Sequence, residues 1–387
     1  MENNIIDMLF LSVRSALSEA PASNGESAHL SDDELFRVMQ LAAKHDISHL
    51  VALGLKKGEF IDGSNETRLQ QSIFKAVYRN EQMKYELRKI SELLEQNKIF
   101  FIPLKGAIIR NYYPEPWMRL SCDIDILILE EDLGRAVDLL VSQLSYKVGD
   151  QPQYHDVSLY SQSGVHLELH FNIKENMNLA DQLLADVWKN VDNNSDQGYC
   201  RRLTWDFFVF YHICHMAHHF IHGGCGVRPF IDMYIIMQKL SYDDEKVRKF
   251  LAMCNLEEFY NNVIYMTGVW FGDNLHNDRS RQMEEYVLTG GVYGSLENKV
   301  IVAQGVQGGK LKYALSRIFI TFDSLKNYYP ILKTKKWLFP FMQIRRWFRL
   351  VFGGNIKRSA QELAYNSQIS KEKISKTNDL LQSIGLK

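Results

Sequence analysis

Asp123-Ile124-Asp125-Ile126-Leu127-Ile128 decides how the chain is read. Successive residues of a strand point to opposite faces, so the two carboxylates share one side while Ile124 and Ile126 turn the other way into a core. At about 3.3 Å per residue the two acidic Cα atoms lie roughly 6.6 Å apart. Two acids abreast on a mostly apolar strand repel each other without a cation, and this spacing lets their side chains converge on one or two Mg²⁺ ions, with Mn²⁺ able to stand in.

Outward from that strand, Ile99-Phe100-Phe101-Ile102-Pro103-Leu104 is a short apolar run of strand type, followed by Lys105-Gly106 and a helix-like Ala107 to Tyr113 that Pro114 and Pro116 end. A strand-to-helix turn is where backbone N–H groups and the helix dipole receive phosphate. Lys105 adds a point charge there, and Arg119 offers forked donors to a second phosphate oxygen. Downstream, Glu131 to Leu144 reads as a helix, and Tyr154 to Tyr160 with Gly164 to Phe171 as a hairpin around Ser161-Gln162-Ser163-Gly164. His166, Glu168 and His170 share one face of its second strand, with Val165, Leu167, Leu169 and Phe171 on the other. Pairing of that strand with Asp123-Ile124-Asp125 would make Glu168 the third carboxylate of a two-metal site. Residues 96–200 therefore read as β-α-β-α-β-β.

The combination Leu104-Lys105-Gly106, Tyr112-Tyr113-Pro114, Arg119, Asp123-Ile124-Asp125 and Glu168-Leu169-His170 resembles an uncharacterised bacterial family of polymerase-β-like nucleotidyltransferases, over roughly residues 30 to 270. The resemblance implies an α+β fold: a small mixed β-sheet core with a helical N-terminal lead-in and a helical C-terminal bundle. It implies Mg²⁺-dependent transfer of a nucleotidyl group from an NTP to a hydroxyl acceptor. Asp123, Asp125 and Glu168 take the metal and catalytic roles, and Lys105-Gly106 occupies the place of the superfamily's usual Gly-Ser, a departure that touches the grip on phosphate. The resemblance names no acceptor, which leaves small molecules, sugars and proteins open.

Residues 1–95 read as helical, with a helix started by Asp32-Asp33-Glu34, another over Ser48 to Lys57 with Ser48 as its cap, and a third over Glu66 to Asn97. Residues 201–300 return to helix, including Trp205 to His222 and Arg228 to Leu240. On the first of these, His212, His215, His219 and His222 form one stripe. His212, His215 or His219 line the cleft with Arg228 and Asp232, or the histidines serve as hydrogen-bonded structural groups, or a pair such as His215 and His219 holds zinc as a hydrolase would, although no HExxH is present. Asp232 also stands at i, i+4 from Arg228. A nucleotide-binding regulatory module without turnover is a further alternative. Residues 286–309 hold six glycines and read as loops.

In residues 301–387, Tyr313 to Tyr329 and Trp337 to Phe352 suit amphipathic helices. Lys310 to Arg358 carries twelve Lys and Arg against Asp323 alone, inside a chain of net charge −1, so this segment is suited to an anionic surface. Length, at 387 residues, and 46% hydrophobic content exclude a disordered chain or a stapled mini-protein. No basic leader and no long uncharged apolar run occur, and the five cysteines lack a CxxC pair, so the sequence reads as a cytoplasmic protein with reduced thiols.

Overall fold

The computed structural model describes residues 2–18, 29–61, 63–149, 155–192, 198–292, 294–307, 312, 315–316, 318–352 and 369–386. It is 67% helical around one small mixed sheet, the α+β arrangement expected. Four helices lead in: α1 (Glu2–Leu17), α2 (Asp32–Lys44), α3 (Ser48–Lys57) and α4 (Gly63–Gln96). At the start of α2, Ser31 and Glu34 form a reciprocal capping box, and Asp32, Asp33 and Glu34 crowd the positive end of the helix dipole. Ser48 is not a cap: Ile47 holds that position and α3 has no side-chain cap bond.

The core then follows as β1 (Phe101–Pro103), α5 (Gly106–Ile109), β2 (Asp123–Ile128), α6 (Leu133–Leu144), β3 (Lys147–Val148), β4 (Asp156–Tyr160) and β5 (His166–His170). The expected helix after Lys105 is a single turn that tightens into a 3₁₀ turn at Arg110–Tyr112. Strand β3 is an addition to the expected order; two exposed residues leave no pattern to read. Sheet order is β1-β2-β5-β4-β3. β2 and β5 run parallel with Asp125 opposite Glu168, and β4 and β5 form the antiparallel hairpin. Ile124, Ile126, Ile128, Leu167 and Leu169 pack with Ile90, Leu94 and Leu140 of α4 and α6, so the apolar face is covered and the acidic face is turned the other way.

What the acidic face meets is a helical bundle: α8 (Trp205–Ile221), α9 (Arg228–Lys239), α10 (Asp244–Met253) and α11 (Glu257–Phe271), after the short α7 (Asn178–Leu184). Phe207, Phe210, Phe220, Phe230 and Trp270 fill its centre, which is continuous with the core of α1 to α3. The loop expectation for residues 286–309 fails in part, because α12 (Asp278–Gly290) and α13 (Leu296–Gln307) occupy most of it. Gly291 and Gly294 take left-handed conformations at the turn between them. Val300 and Ile301 of α13 bury against Ile369 and Ile374, and that packing outweighs the weak helix propensity of Gly305. Beyond it lie helices Phe322–Tyr328, Phe339–Phe352 and Lys371–Ser383; the rest of the helix expected from Tyr313 falls partly outside the described residues. No described helix is long and apolar enough to cross a membrane.

Candidate active site

Between the acidic sheet face and α8/α9 lies a cleft of about 370 Å³ lined by Lys105, Gly106, Arg119, Asp123, Asp125, Glu168, His170, His212, His215, His219, Arg228 and Asp232. Each candidate residue from the sequence is thus brought to one place. The register delivers the carboxylates, and two overlapping triads of ligand atoms result: Asp123, His166 and Glu168, then Asp125, Glu168 and His170, with each triad's atoms within 4.8 Å of one another. Glu168 belongs to both.

The two aspartates differ in surroundings. Asp125 is 7% exposed. It accepts a hydrogen bond of 2.9 Å from His170 Nε2 and stands 3.9 Å from Lys105 Nζ. Burial opposes its ionisation, but Lys105 and His170 overcome that and hold it well below the usual carboxylate range. Among the described residues the Asp123 side chain has no hydrogen-bond or ion-pair partner, and burial together with Asp125 and Glu168 raises its pKa. Burial also opposes charge on His170, yet its bonds to Asp125 and Glu168 push it up to about 9.

Lys105 has φ +39° and ψ −112°, a strained backbone for a residue with a side chain, and such strain persists only where surroundings over-determine it. They do so here. Gly106 beside it leaves room for Arg119, since a Cβ would stand 2.6 Å from Arg119 Nη1 and the guanidinium would have to shift. Burial disfavours the Lys105 ammonium, but Asp125 and Tyr211 raise its pKa well above the ordinary value, so the strained turn carries a fixed cation.

Arg119 is engaged rather than free. Its Nε and Nη2 donate to the two oxygens of Asp232 at 3.1 and 2.7 Å, while Nη1 reaches Leu120 O at 3.1 Å. Tyr113 Oη donates to the same Asp232 at 2.7 Å. Arg228 bonds Leu120 O at 2.6 Å and pairs with Asp46, not with Asp232 at i, i+4. His49 Nε2 donates to Met118 O at 2.8 Å, and buried Arg110 bonds Ser121 Oγ at 2.6 Å and Asn80 Oδ1 at 3.3 Å. Residues 113–121, which feed directly into β2, are thereby clamped from α3, α4 and α9.

The histidines of α8 point their protons at fixed acceptors. His212 donates to Pro229 O at 3.0 Å, His222 to His218 O at 2.8 Å, and His215 Nδ1 to Glu175 at 2.7 Å. His219 Nε2 lies 3.1 Å from His215 Nε2 and, for a neutral His215, donates to it. Burial pushes His212 down to about 4 and, with His215 and His218, His219 to about 2, so these rings are neutral polar groups facing the cleft. Among the described residues no group of three metal-ligand atoms includes a histidine of α8; such groups lie on the sheet.

Sequence reasoning missed Glu175, Tyr113, Tyr211 and His155. Glu175 organises His215 and His218 from an irregular segment, where no periodicity marks it. Tyr113 enters the sequence reading only within Tyr112-Tyr113-Pro114, without a role of its own, and Tyr211 only as part of the helix expected from Trp205 to His222.

No curated protein and no solved structure matches the chain. Residues 31–272, more than half its length, match the family described as "Uncharacterised nucleotidyltransferase", and the chain belongs to that family.

Proposed function

We propose that the protein moves a nucleotidyl group from an NTP to a hydroxyl of a small molecule, sugar or protein, with Asp123, Asp125 and Glu168 holding two divalent cations, Mg²⁺ in the first place. The observation that carries this reading is the pair of ligand triads sharing Glu168 at the mouth of a cleft that also holds a fixed lysine. The donor set fits: Asp123 is a half-buried carboxylate with no cation partner, its charge opposed by two neighbouring acids. Bound there, the cations would lower the pKa of the acceptor hydroxyl and shield the triphosphate. Lys105 supplies positive charge to a phosphate oxygen, and Gly106 lets the phosphate approach the backbone. Glu168 and Asp123 are the groups placed to accept the acceptor's proton. Neutral His212 and His219 offer hydrogen bonds to the acceptor without repelling the cations.

The test is pyrophosphate release from each of the four NTPs with Mg²⁺ or Mn²⁺ and a panel of hydroxyl acceptors. Activity equal in wild type and Asp123→Asn/Asp125→Asn would sink the assignment. A second reading, a nucleotide-binding module without turnover, is favoured by the 3.9 Å approach of Lys105 to Asp125, which already part-neutralises one metal ligand. Tight NTP binding with no product under every acceptor condition would select it.

The C-terminal segment supports contact with an anionic surface. Trp337, Phe341, Ile344 and Phe348 are exposed at helical spacing with Arg345 and Arg349 beside them, the composition of a helix lying on a charged membrane surface. Co-sedimentation with phosphatidylserine vesicles, lost in Phe341→Ser/Phe348→Ser, is the expected outcome.

A further inference from the structure

One strand over from the carboxylates lies a second cluster that shares only His170 with the nucleotidyl-transfer reading. Asp156 opens β4 directly opposite His170 of β5, and His155 precedes it, anchored by the Phe171 N–H donating to His155 O at 3.0 Å. Asp156 is 1% exposed, yet among the described residues neither of its oxygens has a hydrogen-bond partner. His155 Nδ1 and His170 Nδ1 are likewise buried and without partners. His155 Nε2 stands 3.3 Å from Asp156 Oδ1 at an angle that makes no hydrogen bond. Four orphaned polar atoms in one place are a heavy cost, since each buried unmade hydrogen bond is worth about 1–3 kcal/mol and an uncompensated carboxylate more. A built-in polar cluster of this kind requires an occupant or a shared proton.

We propose that His155, Asp156 and His170 form a distinct cation site that takes one divalent transition-metal ion, with Zn²⁺ the closest match to the ligand set. Their ligand atoms lie within 4.8 Å of one another. Two imidazoles and one carboxylate select a borderline ion over Mg²⁺ or Ca²⁺, which take oxygen ligands. The chemistry of His170 fits without rearrangement: its Nε2–H donates to Asp125, which leaves Nδ1 as the nitrogen with the lone pair. His155 and His170 both line the cleft, so the ion's remaining positions open toward it and give it an entry path.

The site would tie down the imidazole that holds Asp125. It is a carboxylate–histidine–metal relay in which the ion, the ring and Asp125 Oδ1 stand in series.

The test uses the full chain, stripped with chelator and dialysed against Zn²⁺, with bound metal measured by elemental analysis and the site reported by the visible absorption of substituted Co²⁺. One equivalent of Zn²⁺ is expected, with Co²⁺ bands of four- or five-coordinate geometry. Both should persist in Asp123→Asn, while affinity falls about 100-fold or more in Asp156→Asn and His155→Ala. Metal-free Asp156→Asn should melt no lower than metal-free wild type, because it removes a buried unpaired charge, so loss of Zn²⁺ there cannot be loss of fold. Absence of Zn²⁺ from the wild type overturns the proposal, as does binding that survives Asp156→Asn and His155→Ala. Zn²⁺ lost in Asp123→Asn but kept in those variants also overturns it, by placing the ion on the carboxylates. That last result would leave the nucleotidyltransferase reading standing.

Discussion

The two walls of the cleft are built on opposite rules. On the sheet wall Asp123 has no partner, Glu168 is shared, and Asp156 is orphaned. On the facing wall every charge is answered: Asp232 by Arg119 and Tyr113, Arg228 by Leu120 O and Asp46, and Arg110 by Ser121 and Asn80. On the proposed reading the first wall is completed by what binds to it, while the second is completed by folding. Substitutions on the sheet should therefore cost activity and spare stability, and those on the facing wall the reverse.

The largest effect expected is on the sheet. Asp123→Asn should lower pyrophosphate release about 10³-fold or more, since loss of a metal's charge clamp is worth several kcal/mol. Its melting temperature should hold or rise as like-charge repulsion falls; a melting temperature far below wild type would break the contrast. Next comes Asp232→Ala, which leaves Arg119 buried and unpaired and should cost about 3–5 kcal/mol in denaturant unfolding.

The third expectation concerns pH. His49 is 3% exposed, and burial, helped by Arg228 and opposed by its bond to Met118 O and by Asp46, pushes it down to about 4. Because the folded value lies below the ordinary 6.5, the unfolded chain binds the extra proton. This stability is fully present above pH 6.5 and is lost as pH falls through 4, amounting to about 3 kcal/mol at about 1.4 kcal/mol per unit. The unfolding midpoint of His49→Gln should be flatter than that of wild type across that window; identical slopes would refute it. Smallest is Gly106→Ala, whose Cβ at 2.6 Å from Arg119 Nη1 must displace the guanidinium, for about 1–3 kcal/mol and a weaker grip on nucleotide, read by equilibrium unfolding and NTP titration.

The sheet wall was legible because alternation is a local property: Asp123 with Asp125, and His166 with Glu168 and His170, declare their faces within a few residues. Only the pairing of the two strands had to be supplied by the fold, and it is parallel with Asp125 opposite Glu168. The facing wall was not legible, because its partners are far apart in sequence. Arg119 reads as a free phosphate ligand until Asp232 arrives from α9, and Asp232 reads as a partner of Arg228 until the helix packs. His49 holding Met118 O and Glu175 holding His215 lie on no periodic pattern that would announce them. Family membership adds the reaction class and leaves the acceptor unnamed.

The parallel pairing of β2 with β5 also sets when the site comes into being. The β4–β5 hairpin closes locally, on the microsecond scale of such turns, whereas Asp125 meets Glu168, 43 positions further along the chain and beyond a helix. Each triad that includes Asp123 or Asp125 therefore exists only after the least local strand pairing of the sheet has formed. A chain emerging from synthesis or caught half-folded presents these acids in isolation, so the proposed metal site is withheld until the sheet is complete.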